Sequence, residues 1–88
     1  MNREEFIASL NLPFEGNEQA DEYVIILNNS DDFSRAYNLI SNNQKLSMDD
    51  NSVTTTSNAL FTFFNDDFEV RLTANFNKDI YRITVSDR

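Results

Sequence analysis

Residues 68–76 alternate without a break between apolar and polar side chains. Phe68, Val70, Leu72, Ala74 and Phe76 stand against Glu69, Arg71, Thr73 and Asn75. A period of two is that of a strand with one face in a core and the other in water. Tyr81, Ile83 and Val85 alternate in the same way a few residues later, and the two runs constrain each other. A two-residue turn at Asn77-Lys78 sets Ala74 opposite Tyr81, Leu72 opposite Ile83 and Val70 opposite Val85, every pair apolar. A three-residue turn would place Arg82 and Thr84 on the core face instead. One slip reverses every face, so the two-residue register is selected.

The same reasoning extends backwards. Both two-residue registers open to the turn at Asn65-Asp66-Asp67 put Phe61 and Phe63 on the face of Val70 and Leu72. The β-branched run Val53 to Thr56 reads as a strand. Leu46 and Met48 read as another, ahead of an Asp49-Asp50-Asn51 turn. The second half of the chain is therefore an antiparallel meander.

The first half supplies the helices. Asn2 can cap a short helix, with Glu5 in the capping-box position and Phe6, Ile7 and Leu10 as its buried edge. Pro13 and Gly16 end that pattern, and an acidic loop over 15–22 follows. Tyr23-Val24-Ile25-Ile26-Leu27 is short, continuous and apolar, which predicts a strand buried on both faces. Ser30 is a good N-cap, with Asp31 and Asp32 in the first turn where the helix dipole favours them. Phe33, Ala36, Tyr37 and Ile40 then mark an amphipathic helix of about 33–41, ended by Asn42-Asn43. The order predicts one α+β domain over residues 1–88. Two short helices pack on one face of a mostly antiparallel four- to five-stranded sheet.

Composition narrows the chemistry. The chain has no cysteine and no histidine, so thiolate sites, disulfides and the commonest general base are absent. No run approaches the ~20 apolar residues of a membrane span, and nothing behind Met1 reads as a signal peptide. The expected setting is cytoplasmic. Fifteen acids against seven bases give a formal net charge of −8, which one folded body must carry as self-repulsion. Aromatic residues make up 12%, too many for a disordered acidic tail.

The acids fall in two segments without any Lys or Arg. Residues 15–32 hold Glu15, Glu18, Asp21, Glu22, Asp31 and Asp32; residues 49–69 hold Asp49, Asp50, Asp66, Asp67 and Glu69. These are the candidate partner-binding residues. Clefts that bind nucleic acid are built to neutralise closely spaced phosphates, and carboxylates on a rigid scaffold can take the phosphates' place. The bland reading is that Asp31 and Asp32 serve a helix start and the remaining Asp pairs serve turns. Asp49, Asp50 and Asn51 share the oxygen-rich spacing of calcium loops, but the glycine and distal glutamate of such a loop are missing. No cofactor or metal is expected. Nothing implies the cleft that paired catalytic carboxylates need, so no enzymatic activity is expected. Leu60, Phe64, Ile80 and Val53 fall on the face away from the helices, an apolar patch suited to a protein partner or to a homodimer.

A short, cysteine-free, strongly acidic α+β domain resembles the small phage-encoded anti-CRISPR proteins in size, charge and style, over the whole chain and without a diagnostic motif. The resemblance implies an acidic inhibitor that occupies the DNA-binding cleft of a CRISPR effector nuclease, inside the bacterial host cell. A second resemblance is to the small acidic immunity proteins that neutralise nuclease toxins. The alternative of another class is an adaptor module that binds through its apolar sheet face.

Overall fold

A computed structural model describes residues 3–10, 16–19 and 21–88. The elements run α1 (Arg3–Leu10), β1 (Gly16–Gln19), β2 (Glu22–Leu27), α2 (Ser30–Ser41), β3 (Ser47–Met48), β4 (Val53–Thr54), β5 (Asn58–Phe64), β6 (Phe68–Asn75) and β7 (Ile80–Asp87). The strands form one antiparallel sheet in the order β1-β2-β7-β6-β5-β3, and β4 also pairs with β5. The fold is α+β, with more strands than the four or five expected. The strand without a signal in the sequence is β1, too polar to register as a periodic run, while the strands read at Leu46 and Met48 and at Val53 to Thr56 are the two-residue β3 and β4.

Both helices lie on the face that carries Val70, Leu72 and Ala74. Phe6 of α1 stacks on Phe68 with ring centroids 4.9 Å apart. Phe33 of α2 reaches Tyr81 at 5.8 Å, and Tyr37 reaches Phe61 at 4.7 Å. Phe6, Ile40, Phe68, Val70, Leu72, Ile83 and Val85 are the largest fully enclosed side chains. Ala74 pairs with Tyr81, Leu72 with Ile83 and Val70 with Val85, in the register that the apolar matching selected. Phe61 and Phe63 face the same core, opposite Leu72 and Val70.

Several local expectations give way. The connection between β6 and β7 spans four residues, because Asn75 and Ile80 form the last pair. Phe76 leaves the ladder to donate its N–H to the Ser57 carbonyl at 2.8 Å. Asp79 closes the turn at φ 57°, in the left-handed region that Asp tolerates better than most residues. Helix α2 begins at Ser30 rather than near 33, and its N-cap is Asn29, not Ser30. Asn29 is extended, and its side chain accepts the Asp32 N–H at 2.9 Å.

The strand over 23–27 is not buried on both faces. Ile25 and Leu27 are enclosed, but Ile26 is 57% exposed, because no described element covers the far side of the sheet. The expected acidic loop over 15–22 is a hairpin, with Gly16–Gln19 paired to β2. Gly16 sits under the Tyr23 ring, where any Cβ would overlap it, and Gly16 N–H donates to the Tyr23 hydroxyl at 3.1 Å. The Asn2 cap and Pro13 lie outside the described residues.

Strands β3 and β4 act as one edge strand with an insertion. Between them, Thr62 of β5 has its carbonyl bonded by the Asp49 N–H at 2.8 Å, and its own N–H bonded to Ser52 Oγ at 3.2 Å. The Asp49 carboxylate accepts the Asn51 N–H at 2.8 Å, which holds the inserted turn. Interrupting an edge in this way limits its use as a template for other strands.

Candidate functional site

The registers sort the acids by position. Glu22 and Glu69 both lie opposite Ser86, so they flank β7 on the uncovered face, about 9–10 Å apart across it. Asp87 lies opposite Phe68, beside the Asp66-Asp67 turn. Asp21 and Glu18 belong to the β1–β2 hairpin at the same end of the sheet. One end of the molecule therefore collects Glu18, Asp21, Glu22, Asp66, Asp67, Glu69 and Asp87, drawn from three distant parts of the sequence. Asp31 and Asp32 are elsewhere, at the α2 N-terminus near the opposite end of β2 and β7. Asp49 and Asp50 sit on the β5 edge. Glu15 lies outside the described residues. The two acidic segments thus converge in part and do not form one continuous face.

Segments free of bases in sequence are not free of them in space. Arg3 is only 15% exposed and bridges Glu18 at 2.9 Å and Asp87 at 3.6 Å; it also donates to the Asp21 carbonyl at 3.1 Å. It ties α1 to the acidic end. Arg71 contacts Glu22 at 2.7 Å and Glu69 at 3.9 Å, yet its Nε is buried without a hydrogen-bond acceptor. Arg88 donates to the Asn65 carbonyl at 3.1 Å and stands 4.7 Å over the Phe64 ring. Three arginines thus organise the end but leave it acidic, with Asp21, Asp66 and Asp67 exposed. Asn65 builds the turn between them, its side chain accepting the Asp67 and Phe68 N–H groups at 2.8 and 2.9 Å.

Asp87 and the arginine pairings were not among the expected site residues. The hairpin register carried the signal for Asp87, since pairing Val70 with Val85 also brings Phe68 opposite Asp87. Arg71 could have been found by the same count. Arg3 could not, because its contacts depend on how α1 docks.

The uncovered face reads in rows across β2, β7, β6 and β5. Glu22, Ser86, Glu69 and Phe64 form the row at the acidic end. Val24, Thr84, Arg71 and Thr62 form the next. Ile26, Arg82, Thr73 and Leu60 form the third, continued by Val53 on β4. Ile26, Val53, Leu60 and Ile80 are exposed, while Phe64 lies under Arg88. The expected apolar patch is thus real in its third row, interrupted by Arg82 and Thr73.

On the helix side, a groove of about 410 Å³ opens between α2 and the β5 edge, walled by Phe33, Tyr37, Phe61 and Phe76. Ser30 and Asn38 stand on its rim, and no ionised side chain lines it. Beside it, burial and the adjoining Asp79 carboxylate push the Tyr81 hydroxyl above the ordinary phenol value of 10.0, with Ser30 partly offsetting them.

Among the described residues, no three carboxylates converge to hold a metal ion, and no helix is long and apolar enough to cross a membrane. No family model, curated protein or solved structure matches the chain.

Proposed function

We propose that this chain is a non-catalytic acidic inhibitor that binds a basic nucleic-acid-processing protein and occupies its DNA-binding cleft in place of phosphates. The observation that carries the reading is the gathering of Glu18, Asp21, Glu22, Asp66, Asp67, Glu69 and Asp87 at one end of the sheet. The strands beneath them are hydrogen-bonded to their neighbours, and Arg3 and Arg71 hold Glu18, Asp87, Glu22 and Glu69 in ion pairs. Fixed carboxylates steer association with a cationic cleft and lose little freedom on binding. Asp31, Asp32, Asp49 and Asp50 play no part in this contact. The first partner to try is a CRISPR effector nuclease and the second a nuclease toxin, both met in the bacterial cytoplasm.

An adaptor role through the uncovered sheet face is the second reading, favoured by exposed Ile26, Val53, Leu60 and Ile80. A DNA-cleavage assay separates the two. Replacing Asp21, Asp66 and Asp67 by Lys should abolish inhibition and slow association, most strongly at low salt. Leu60→Ala should leave inhibition intact. Cleavage unaffected by the wild-type protein across representative effectors and toxins would discard the inhibitor. Inhibition lost only with Leu60→Ala would transfer the site to the apolar face.

A further inference from the structure

We infer that the uncovered sheet face is a self-complementary surface that pairs with a second copy of the chain, strands antiparallel, with Arg82 of each copy between Glu22 and Glu69 of the other. Charge accounting leads there. Glu22, Arg71 and Glu69 form a triad with one more negative charge than positive, in which Arg71 Nε lacks an acceptor. Arg82 makes no ion pair with any described residue, and its neighbours across the sheet are Ile26 and Thr73. In a chain of net charge −8, Arg82 thus stands exposed among apolar and hydroxyl side chains, on the same face as the triad. The triad lacks one cation and Arg82 lacks one anion.

The geometry lets one copy supply both. The glutamate row and the Arg82 row are each one step from the row of Thr84. Turning a copy end for end about the Thr84 row exchanges the two outer rows and keeps each strand over itself. Arg82 then stands over Ser86 of the second copy, flanked by that copy's Glu22 and Glu69. The symmetry makes the contact twice, as an isologous interface requires. Arg71 leans towards Glu22, away from its counterpart on the axis. Leu60 and Ile26 lose exposed apolar surface beside each Arg82. Strands of two to eight residues in six positions give a face of roughly 550 Å². That is below the ~800 Å² per partner of a standard interface and in the range of weak, reversible ones, and two stacked sheets pack in this aligned manner. The pairing engages Glu22 and Glu69, two of the seven acids of the inhibitor reading, and does not use Asp21, Asp66 or Asp67, the acids whose reversal tests that reading.

Sedimentation equilibrium of the full chain, from micromolar to millimolar, tests it. Wild type should dimerise reversibly, and more tightly with added salt, since the two bodies repel overall. Arg82→Glu should weaken the dimer at least tenfold. Arg35→Glu, the same charge change on an exposed position of α2, should weaken it much less. Glu69→Arg added to Arg82→Glu should restore it, and circular dichroism confirms folding of each variant. A wild type that stays monomeric throughout overturns the proposal. So does equal weakening by Arg35→Glu and Arg82→Glu, which would mean general repulsion. A dimer indifferent to both Arg82→Glu and Leu60→Asp would lie on another surface and also overturns it.

Discussion

The two faces of one sheet obey different rules. On the helix side, residues 68, 70, 72 and 74 are all buried, and the partners of 70, 72 and 74 on β5 and β7 are apolar. On the other side, residues 69, 71, 73 and 75 are half-exposed and meet Ser, Thr, Arg and Ile. The same backbone and the same strand pairs serve both. The first face is fixed by removal of apolar area from water, which is additive and non-directional. The second is fixed by ion pairs and hydrogen bonds, whose strength depends on geometry and screening. Stability resides in the first face. The second is free to carry recognition.

The sharpest way to break that division is to truncate neighbouring residues on β6. Leu72→Ala removes a fully enclosed side chain and should cost ~2–5 kcal/mol. Thr73→Ala, one residue on and facing the uncovered side, should change stability by no more than about 0.5 kcal/mol. Urea melts of both variants report the difference directly. Comparable losses would mean that the uncovered face is packed in solution, and the division between faces would fail.

A smaller effect tests how the helix layer is anchored. Asn29 accepts the Asp32 N–H at 2.9 Å, whereas Ser30 already lies inside α2. Asn29→Ala should cost ~0.5–2 kcal/mol through the lost cap. Ser30→Ala should cost less, because its hydroxyl only adjoins Tyr81 at the groove rim. Thermal melts rank the two. The reverse order would move the helix start back to Ser30 and loosen α2 from the end of β2.

These two tests also mark what the sequence reveals. The β6–β7 register is legible because a slip of one residue would bury Arg82 and Thr84. Helix α2 is legible because Phe33, Ala36, Tyr37 and Ile40 recur at helical spacing. Strand β1 is not, since Asn17, Glu18 and Gln19 form an edge without an apolar alternation, and its pairing depends on the Tyr23 ring over Gly16. Burial of residues 23–27 on both faces does not follow from the run, because a continuous apolar stretch says nothing about whether a second layer exists. The acidic end is half legible. Glu22, Glu69 and Asp87 come together through strand registers that can be counted, but Arg3 reaches them only through the docking of α1. Asp31 and Asp32 sit in the first turn of α2, and the Asp49 carboxylate accepts the Asn51 N–H in the turn between β3 and β4, positions that their sequence neighbours already suggest.

The smallest expected effect is confined to high pH and concerns the Tyr81 hydroxyl at the rim of the covered face. The Tyr81 ring is packed between Phe33 and Phe76, with centroids at 5.8 and 6.1 Å. Its hydroxyl emerges beside Asp79 and Ser30. Burial and the Asp79 carboxylate both disfavour the phenolate, so the folded value lies above the ordinary 10.0. A group whose value is raised by folding contributes stability that is complete below the unfolded value. That contribution disappears as pH rises through the folded one. The wild-type protein should therefore lose stability above pH 10 through this group, and Tyr81→Phe should not. The measurement is the melting temperature of both proteins from pH 8 to pH 12, read as a difference to cancel every other titrating group. The gap should be constant below pH 10 and shift against the wild type above it. Asp79→Asn should reduce the shift by removing one of its two causes, leaving the part due to burial. A gap independent of pH throughout would place the Tyr81 hydroxyl in water, and the rim of the covered face would then be as open as the bare one.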